Sequence, residues 1–202
     1  MATKGERTRQ RVVELAAPVF NQRGYWGASL SDVMSATGLE KGGIYNHFSS
    51  KEELAVAAFE HNTEIMSQLI RDALAGRSNA VDRLVAIIGA FREFAENPPF
   101  PGGCPMLNTA VEADDSQPRL RERAREVLSV LRDDTVARIV RLGIERGEIA
   151  ADADPDEVAS VLVAGAEGAL MLTQLYGDPV HMQRTAAHLE TYARSLARRR
   201  KR

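Results

Sequence analysis

One cysteine, Cys104, leaves no partner for an intrachain disulfide, which suits a reducing compartment. The four histidines (His47, His61, His181, His188) show no paired metal spacing, and His61 and Glu64 sit one helical turn apart without a further ligand. No serine stands in a nucleophile elbow, and no GxxxxGK[ST] loop is present to cradle a phosphate. The expectation is therefore no metal, no cofactor and no catalytic residues, with a helical enzyme of unrecognised type as the outlying alternative. Long apolar runs are also missing. The N-terminal stretch is charged from Lys4 onward, so no signal peptide is expected. The most apolar segment, VASVLVAGAEGALMLTQL, carries Glu167 and reads as too poor in apolar residues to span a bilayer. No membrane partner is expected, and the reading is of a cytoplasmic protein.

What is present is a 202-residue chain, 44% apolar and able to bury a core, with a formal net charge of −2. That charge is unevenly spread. Residues 1–51 carry +3 and the closing RRRKR carries +5, which leaves −10 for the segment between them. A basic end on an acidic body suits a polyanion held at one end only. The RRRKR tail could touch DNA nonspecifically or be a solvated helix end whose cations suit the helix dipole.

Alternating stretches bounded by turns are lacking, whereas helix punctuation recurs. Thr3…Glu6, Ser29…Asp32 and Ser50…Glu53 have capping-box spacing, and Asp154-Pro155 and Asp178-Pro179 pair a capping acid with a proline suited to the first helical position. Gly24, Gly38, Gly76, Gly147 and Gly177 follow helical patterns, where glycine often closes the last turn. The apolar period between these signals is helical, as in Val12, Leu15, Ala16, Val19 and Phe20. Together they predict an all-α fold of about nine helices: 4–23, 29–37, 41–47, 51–75, 79–96, 104–113, 117–146, 155–176 and 179–199. NPPFPGGCP breaks the series as a rigid, glycine-hinged loop.

The second and third predicted helices are short, and Gly38-Leu39-Glu40 joins them. Leu30, Val33 and Met34 give one apolar face, Ile44 and Phe48 the other. Two such helices form a helix-turn-helix, whose second helix can enter the major groove of DNA. Gly42 and Gly43 would let its backbone approach closely, with outward amides favouring phosphate. Glycine costs about 1 kcal/mol inside a helix, so a pair in so short an element points to a purpose other than stability. Tyr45 and His47 place polar tips opposite Ile44 and Phe48, and Lys51 stands at the start of the next helix as a phosphate contact. A turn in an ordinary helical protein is the bland alternative.

RGYWGASLSDVMSATGLEKGGIYNHFSSKEEL resembles the N-terminal DNA-binding domain of the TetR/AcrR family of transcriptional regulators. The pieces that match are Gly24-Tyr25, Ser29-Leu30, Asp32-Val33, Thr37-Gly38-Leu39, Lys41-Gly42, Ile44-Tyr45, His47-Phe48 and Ser50-Lys51-Glu52. GGCPMLN, after the proline-rich loop, is also similar to some members. The resemblance implies a three-helix DNA-binding domain over residues 1–50 and a larger helical ligand-binding and dimerising domain over 51–202. It implies that Ser29, Lys41, Tyr45, His47 and Lys51 face DNA, mostly phosphates. Gly43, Asn46 and Ser31 then take positions that read base edges. Two residues depart from the pattern: Met34 replaces a usual alanine, and Glu40 stands where a small hydroxyl residue is common. An acid beside phosphate is costly unless it caps the third helix.

In the body, helix 155–176 carries Ala164, Gly165, Gly168 and Ala169, small residues that permit close helix approach. They read either as a homodimer interface shared with helix 179–199 or as an intramolecular core; the resemblance favours the dimer. An effector pocket for an unknown small molecule is expected between helices 51–75, 79–96, 104–113 and 117–146, with Phe91, Phe94, Cys104, Met106, Leu107, Leu128, Glu167 and Met171 as lining or, failing that, plain core. A buried Glu167 needs a partner, found in a ligand or across a dimer. Cys104, near a helix start where thiolates are favoured, is either a quiet buried thiol or a sensor of oxidants. The function implied is a homodimeric repressor that leaves a palindromic double-stranded operator when a small molecule binds; a regulator responding to thiol oxidation at Cys104 is the alternative.

Overall fold

The structure is a computed structural model and describes residues 3–113 and 117–198. Its α-helices are α1 (Lys4–Gly27), α2 (Leu30–Thr37), α3 (Lys41–Tyr45), α4 (Lys51–Leu74), α5 (Ala80–Glu96), α6 (Pro105–Glu112), α7 (Pro118–Ser129), α8 (Arg138–Glu145), α9 (Pro155–Tyr176) and α10 (Val180–Ser195). A π-helical stretch, Val130–Ala137, joins α7 to α8 without a break, so these three make one continuous rod and the helices number nine among the described residues. Within the stretch the Thr135 hydroxyl donates to the Val130 carbonyl at 3.0 Å, a five-residue reach that follows the wider turn. No strand accompanies the helices among the described residues; a lone antiparallel bridge pairs Ile149 with Ala197.

The predicted caps of α1, α2 and α9 form, whereas α10 starts one residue late, with Pro179 in the cap position and the Asp178 carboxylate accepting from the Val180 amide at 2.9 Å. Thr3 and Glu6 exchange capping-box bonds at the start of α1, as do Ser29 and Asp32 at α2. At α4 the box shifts by one residue: Ser50 Oγ accepts from the Glu53 amide, but the Glu53 carboxylate accepts from the amide and hydroxyl of Ser49. Asp154 caps α9, accepting from the amides of Asp156 and Glu157. Gly38 closes α2 in the left-handed conformation at φ 69°.

Three boundaries differ from expectation by more than one residue, for local reasons. Helix α1 continues past its expected end to Gly27 across a break at Gly24 (φ 70°, ψ 175°), after which the Ala28 amide bonds the Gly24 carbonyl and closes one further turn. Helix α3 stops at Tyr45, two residues early, because the His47 amide reaches back only three residues, to Ile44, and tightens the end. Helix α10 stops at Ser195 because the chain then turns alongside 148–150: Ala150 N donates to Leu196 O and Arg198 N to Glu148 O, both at 2.9 Å. Of the basic tail only Arg198 is described; residues 199–202 lie outside the described residues.

Packing divides the chain into two compact units, residues 1–65 with 100–125, and residues 66–99 with 126–202. This division differs from the functional one drawn at residue 50, since α4 contributes residues to both units. In the first unit Val12, Ala16, Ala17 and Phe20 of α1 are buried together with Val33, Ile44, Phe48, Leu54 and Ala58. In the second, α5, α9, α10 and the π stretch surround Leu84, Phe91, Phe94, Val136, Val140, Leu162 and Met182. By length and composition α9 would suffice to cross a membrane, contrary to the sequence expectation, but Val158, Leu162, Val163, Ala166 and Leu170 are buried inside the protein.

Candidate nucleic-acid interface

Helix α3 is anchored by two side chains. Ile44 and Phe48 are each 1% exposed, and Val33 of α2 is fully buried with them. The Arg9 guanidinium lies 4.6 Å from the Phe48 ring centre and bonds Glu53 at 3.4 Å, tying α1 and α4 over this small core. With the anchors inside, the opposite face of α3 is outside: Lys41, Gly42, Tyr45 and Asn46 are exposed, Gly43 and His47 half-buried. Ser31 is exposed on α2. The Lys41 ammonium stands 5.9 Å from the Tyr45 ring centre, a cation at the edge of the face.

The two glycines have no internal explanation. Neither has a positive φ, a Cβ at Gly42 would meet nothing within 4 Å, and one at Gly43 would meet Leu39 at an ordinary 3.5 Å. The protein could hold alanine at both positions. What glycine supplies is a bare backbone on the outer face of a helix narrow enough for a major groove about 12 Å wide.

Two of the residues expected to face phosphate, Lys51 and Ser29, bond within the protein. The Lys51 ammonium is engaged inside the protein: it donates to the Tyr25 carbonyl and lies 4.4 Å from the Tyr25 ring centre. Desolvation by burial lowers its pKa, while the nearby Glu112 carboxylate favours the charged form. The Ser29 hydroxyl donates to Asp32 at 2.6 Å, so its proton is spent on the α2 cap. Glu40 precedes α3 but makes no side-chain cap bond, leaving an exposed acid at the edge of the site.

The sequence reading missed a basic groove of about 280 Å3 lined by Lys4, Arg7, Thr8, Arg11, Val12, Leu15, Thr37 and Leu39, between α1 and the α2–α3 turn. Arg11 pairs with Glu14 at 3.6 Å; Lys4 and Arg7 have no acidic partner among the described residues. The signal was in the sequence as cations at positions 4, 7 and 11, one α-helical face.

The residues expected to line an effector pocket fall in both units. Phe91, Phe94 and Glu167 are buried and Leu128 half-buried in the second; Cys104 and Met106 are buried and Leu107 half-buried in the first. Met171 is 50% exposed on α9. A groove of about 570 Å3 in the second unit is instead lined by residues such as Leu69, Ala73, Val85, Gly89, Arg92 and Glu190, none of them foreseen. Among the described residues no group of three or more His, Cys, Asp or Glu side chains could hold a metal ion.

The small residues of α9 separate by face. A Cβ at Gly165 would stand 3.1 Å from Leu189 of α10, and Ala169 is buried within the same chain. This is the intramolecular reading, and it follows from their position one turn apart on the inner face. Ala164 is exposed and Gly168 faces open space, in line with the exposed Val161, Met171 and Leu175. That spacing makes one apolar stripe along the outer face.

Residues 12–58 match the family of bacterial regulatory proteins of the tetR type, and residues 80–189 match the tetracyclin repressor-like C-terminal domain. A TetR transcriptional regulator from Chloroflexus aurantiacus J-10-FL is 47% identical, with 96% of this chain and 98% of that one covered and a TM-score of 0.92. The transcriptional repressor DhaR of Mycobacterium sp. strain GP1 is 30% identical over 166 residues, 81% of this chain and 80% of that protein. A cysteine mutant of the TetR-family regulator CifR, solved with 26-bp double-strand operator DNA, shares the fold at 24% identity and a TM-score of 0.80, covering 96% of this chain and 99% of that one. The buried Ile44 and Phe48, the bare outer face of α3 and these two family matches have one reading: the chain belongs to the TetR family of bacterial transcriptional regulators.

Proposed function

We propose that the protein is a cytoplasmic homodimeric repressor that holds a palindromic operator through two copies of α3 and releases it when a small molecule binds the second unit. The observation that carries the reading is the face of α3. Its apolar side chains are spent on the core, and Gly42, which the fold does not require, stands on the outside beside Lys41, Tyr45 and Asn46, with the half-buried Gly43 next to it. Lys4, Arg7 and Arg11 extend the cationic surface along α1 and take flanking phosphates. Asn46, at the C-terminal end of α3, reads base edges with Gly43 and Ser31. The repressor role in DhaR's name and the operator DNA in the CifR complex support this role by analogy.

Dimerisation uses the outer stripe of α9, namely Val161, Ala164, Gly168, Met171 and Leu175, where small residues let the partner helix approach. Effector binding reaches the DNA through α4, the helix that begins at Lys51 and passes from the first unit into the second. At 1.5 Å per residue its 24 residues extend about 36 Å. A coupling of roughly 1–3 kcal/mol suffices for about 5–150-fold regulation, and the linkage is reciprocal. The protein acts by binding, with no catalytic role. The test is to titrate an effector, once found, with and without operator duplex. The reading expects operator to weaken effector binding by the factor by which effector weakens operator binding; equal effector affinity in the two titrations would refute the coupling.

A further inference from the structure

The motif GGCPMLN has no part in the reading of α3, yet it builds one side of a polar junction in the first unit. The Asn21 side chain of α1 donates to the carbonyls of Pro101 and Gly103 at 2.8 and 3.0 Å, and Asn108 of α6 donates to the Gly102 carbonyl at 2.7 Å and the Asn21 carbonyl at 3.3 Å. One turn further along α6, the Glu112 carboxylate accepts from the Tyr25 amide at 2.8 Å and the Trp26 amide at 2.9 Å. These amides open the turn that follows the Gly24 break, so they have lost their partners within the helix. Glycine at 24 is required twice over. Its φ of 70° is a conformation that L side chains rarely adopt, and a Cβ there would lie 2.6 Å from the carboxylate carbon. The Tyr25 carbonyl meanwhile receives the Lys51 ammonium from α4. Three elements thus meet on one turn, and that turn ends at Ser29, the cap of α2.

We propose that Glu112 is a positioning residue for DNA recognition: by gripping residues 25 and 26 it fixes the turn that leads into α2, and so sets the angle at which α2 and α3 are held against α4 and α6. The core of the reading pair itself, Val33, Ile44 and Phe48, does not include Glu112. Loss of the carboxylate therefore leaves each α2–α3 pair folded but no longer held at one angle. One half-site needs only a folded pair, whereas a palindrome needs two pairs at a fixed separation.

The proposal rests on the DNA-binding reading, and its test separates the two. Wild-type protein first selects duplexes from a random-sequence pool; failure to select any would sink the DNA reading, and this proposal with it, before a variant is examined. Glu112→Gln keeps the shape but turns an NH2 group toward an amide that needs an acceptor. Its affinity for the selected palindrome should fall at least about tenfold, the scale of a lost bond to a charged group. Affinity for the same duplex with one half-site scrambled should change less than about twofold, and Trp26 emission anisotropy should drop as its backbone tether goes. Equal losses on both duplexes would assign Glu112 to the fold of the reading pair and overturn the proposal, as would unchanged affinity for the palindrome. If Glu112→Gln gives no helical dimer by circular dichroism and sedimentation, Glu112→Asp, which keeps the charge and is too short for both amides, is decided by the same comparison.

Discussion

Gly42→Ala separates the needs of the fold from those of DNA binding, because its two effects have opposite sign. In the free protein the new methyl meets nothing within 4 Å, and the backbone at Gly42 is not in the positive-φ region. Alanine is favoured over glycine by up to about 1 kcal/mol in a helix interior; near the end of the five-residue α3 a gain of about 0.5–1 kcal/mol is expected. For a chain of this size that corresponds to a rise of about 1–4 °C in melting temperature. On DNA, the Cβ stands about 1.5 Å out from Cα and lifts the backbone from the groove wall. Losing one amide–phosphate bond in each of the two half-sites costs about 3–6 kcal/mol, so operator affinity should fall about 100–10,000-fold. Thermal unfolding by circular dichroism and fluorescence anisotropy on a labelled operator at one fixed salt concentration measure the two effects. A Gly42→Ala protein that binds operator as tightly as wild type would refute the close-approach argument; one that melts lower would refute the claim that the fold does not need this glycine.

Gly168→Leu, on the open stripe of α9, should turn the dimer to monomer in sedimentation with little loss of helicity. Gly165→Leu should instead destabilise each protomer by about 1–3 kcal/mol, because Leu189 already stands 3.1 Å from the Cβ position; a dimer unaffected by Gly168→Leu would place the interface elsewhere. Arg7→Ala should weaken binding to all sequences and shallow the logarithmic salt dependence by about two, one for each protomer, and an unchanged slope would remove Arg7 from the phosphate contacts. Cys104 is 3% exposed, so stoichiometric oxidant should not release operator; release that Cys104→Ser abolishes would show a thiol sensor. The Asp32 carboxyl is held below the ordinary range by the Ser29 hydroxyl and amide and by Arg23, and Glu53 likewise by Ser49 and Arg9. A lowered folded pKa contributes stability that is present above the unfolded value, about 4, and lost as pH falls through the lowered one. The melting temperature should therefore decline in acid, and less steeply in Asp32→Asn; an identical acid decline in that variant would refute the cap's contribution.

The helices were legible because their signals are local. Thr3 with Glu6, Ser29 with Asp32 and Asp154 before Pro155 satisfy amides within four residues, and each forms as read. The outer face of α3 was legible for the same reason: once Ile44 and Phe48 point inward, a helix of this length leaves Lys41, Gly42, Tyr45 and Asn46 outside. What was not legible depends on distant partners. Lys51 reads as a free cation until Tyr25, 26 residues away, supplies the carbonyl that holds it. Gly24 reads as a helix stop, and only Glu112, 88 positions on, explains why the chain breaks there and then resumes. Gly165 and Gly168 are alike in sequence, and only the position of Leu189 assigns one to the interior and leaves the other open.

Selection of bound fragments from the source genome by the purified wild-type protein tests the central claim most directly. The account predicts enrichment of an imperfect palindrome with half-site centres about 34–36 Å, or a multiple of that, apart, and a shift in base preference within each half-site for Asn46→Ala. Fragments with no shared sequence, or one bound no tighter than random DNA at the same salt concentration, would contradict it.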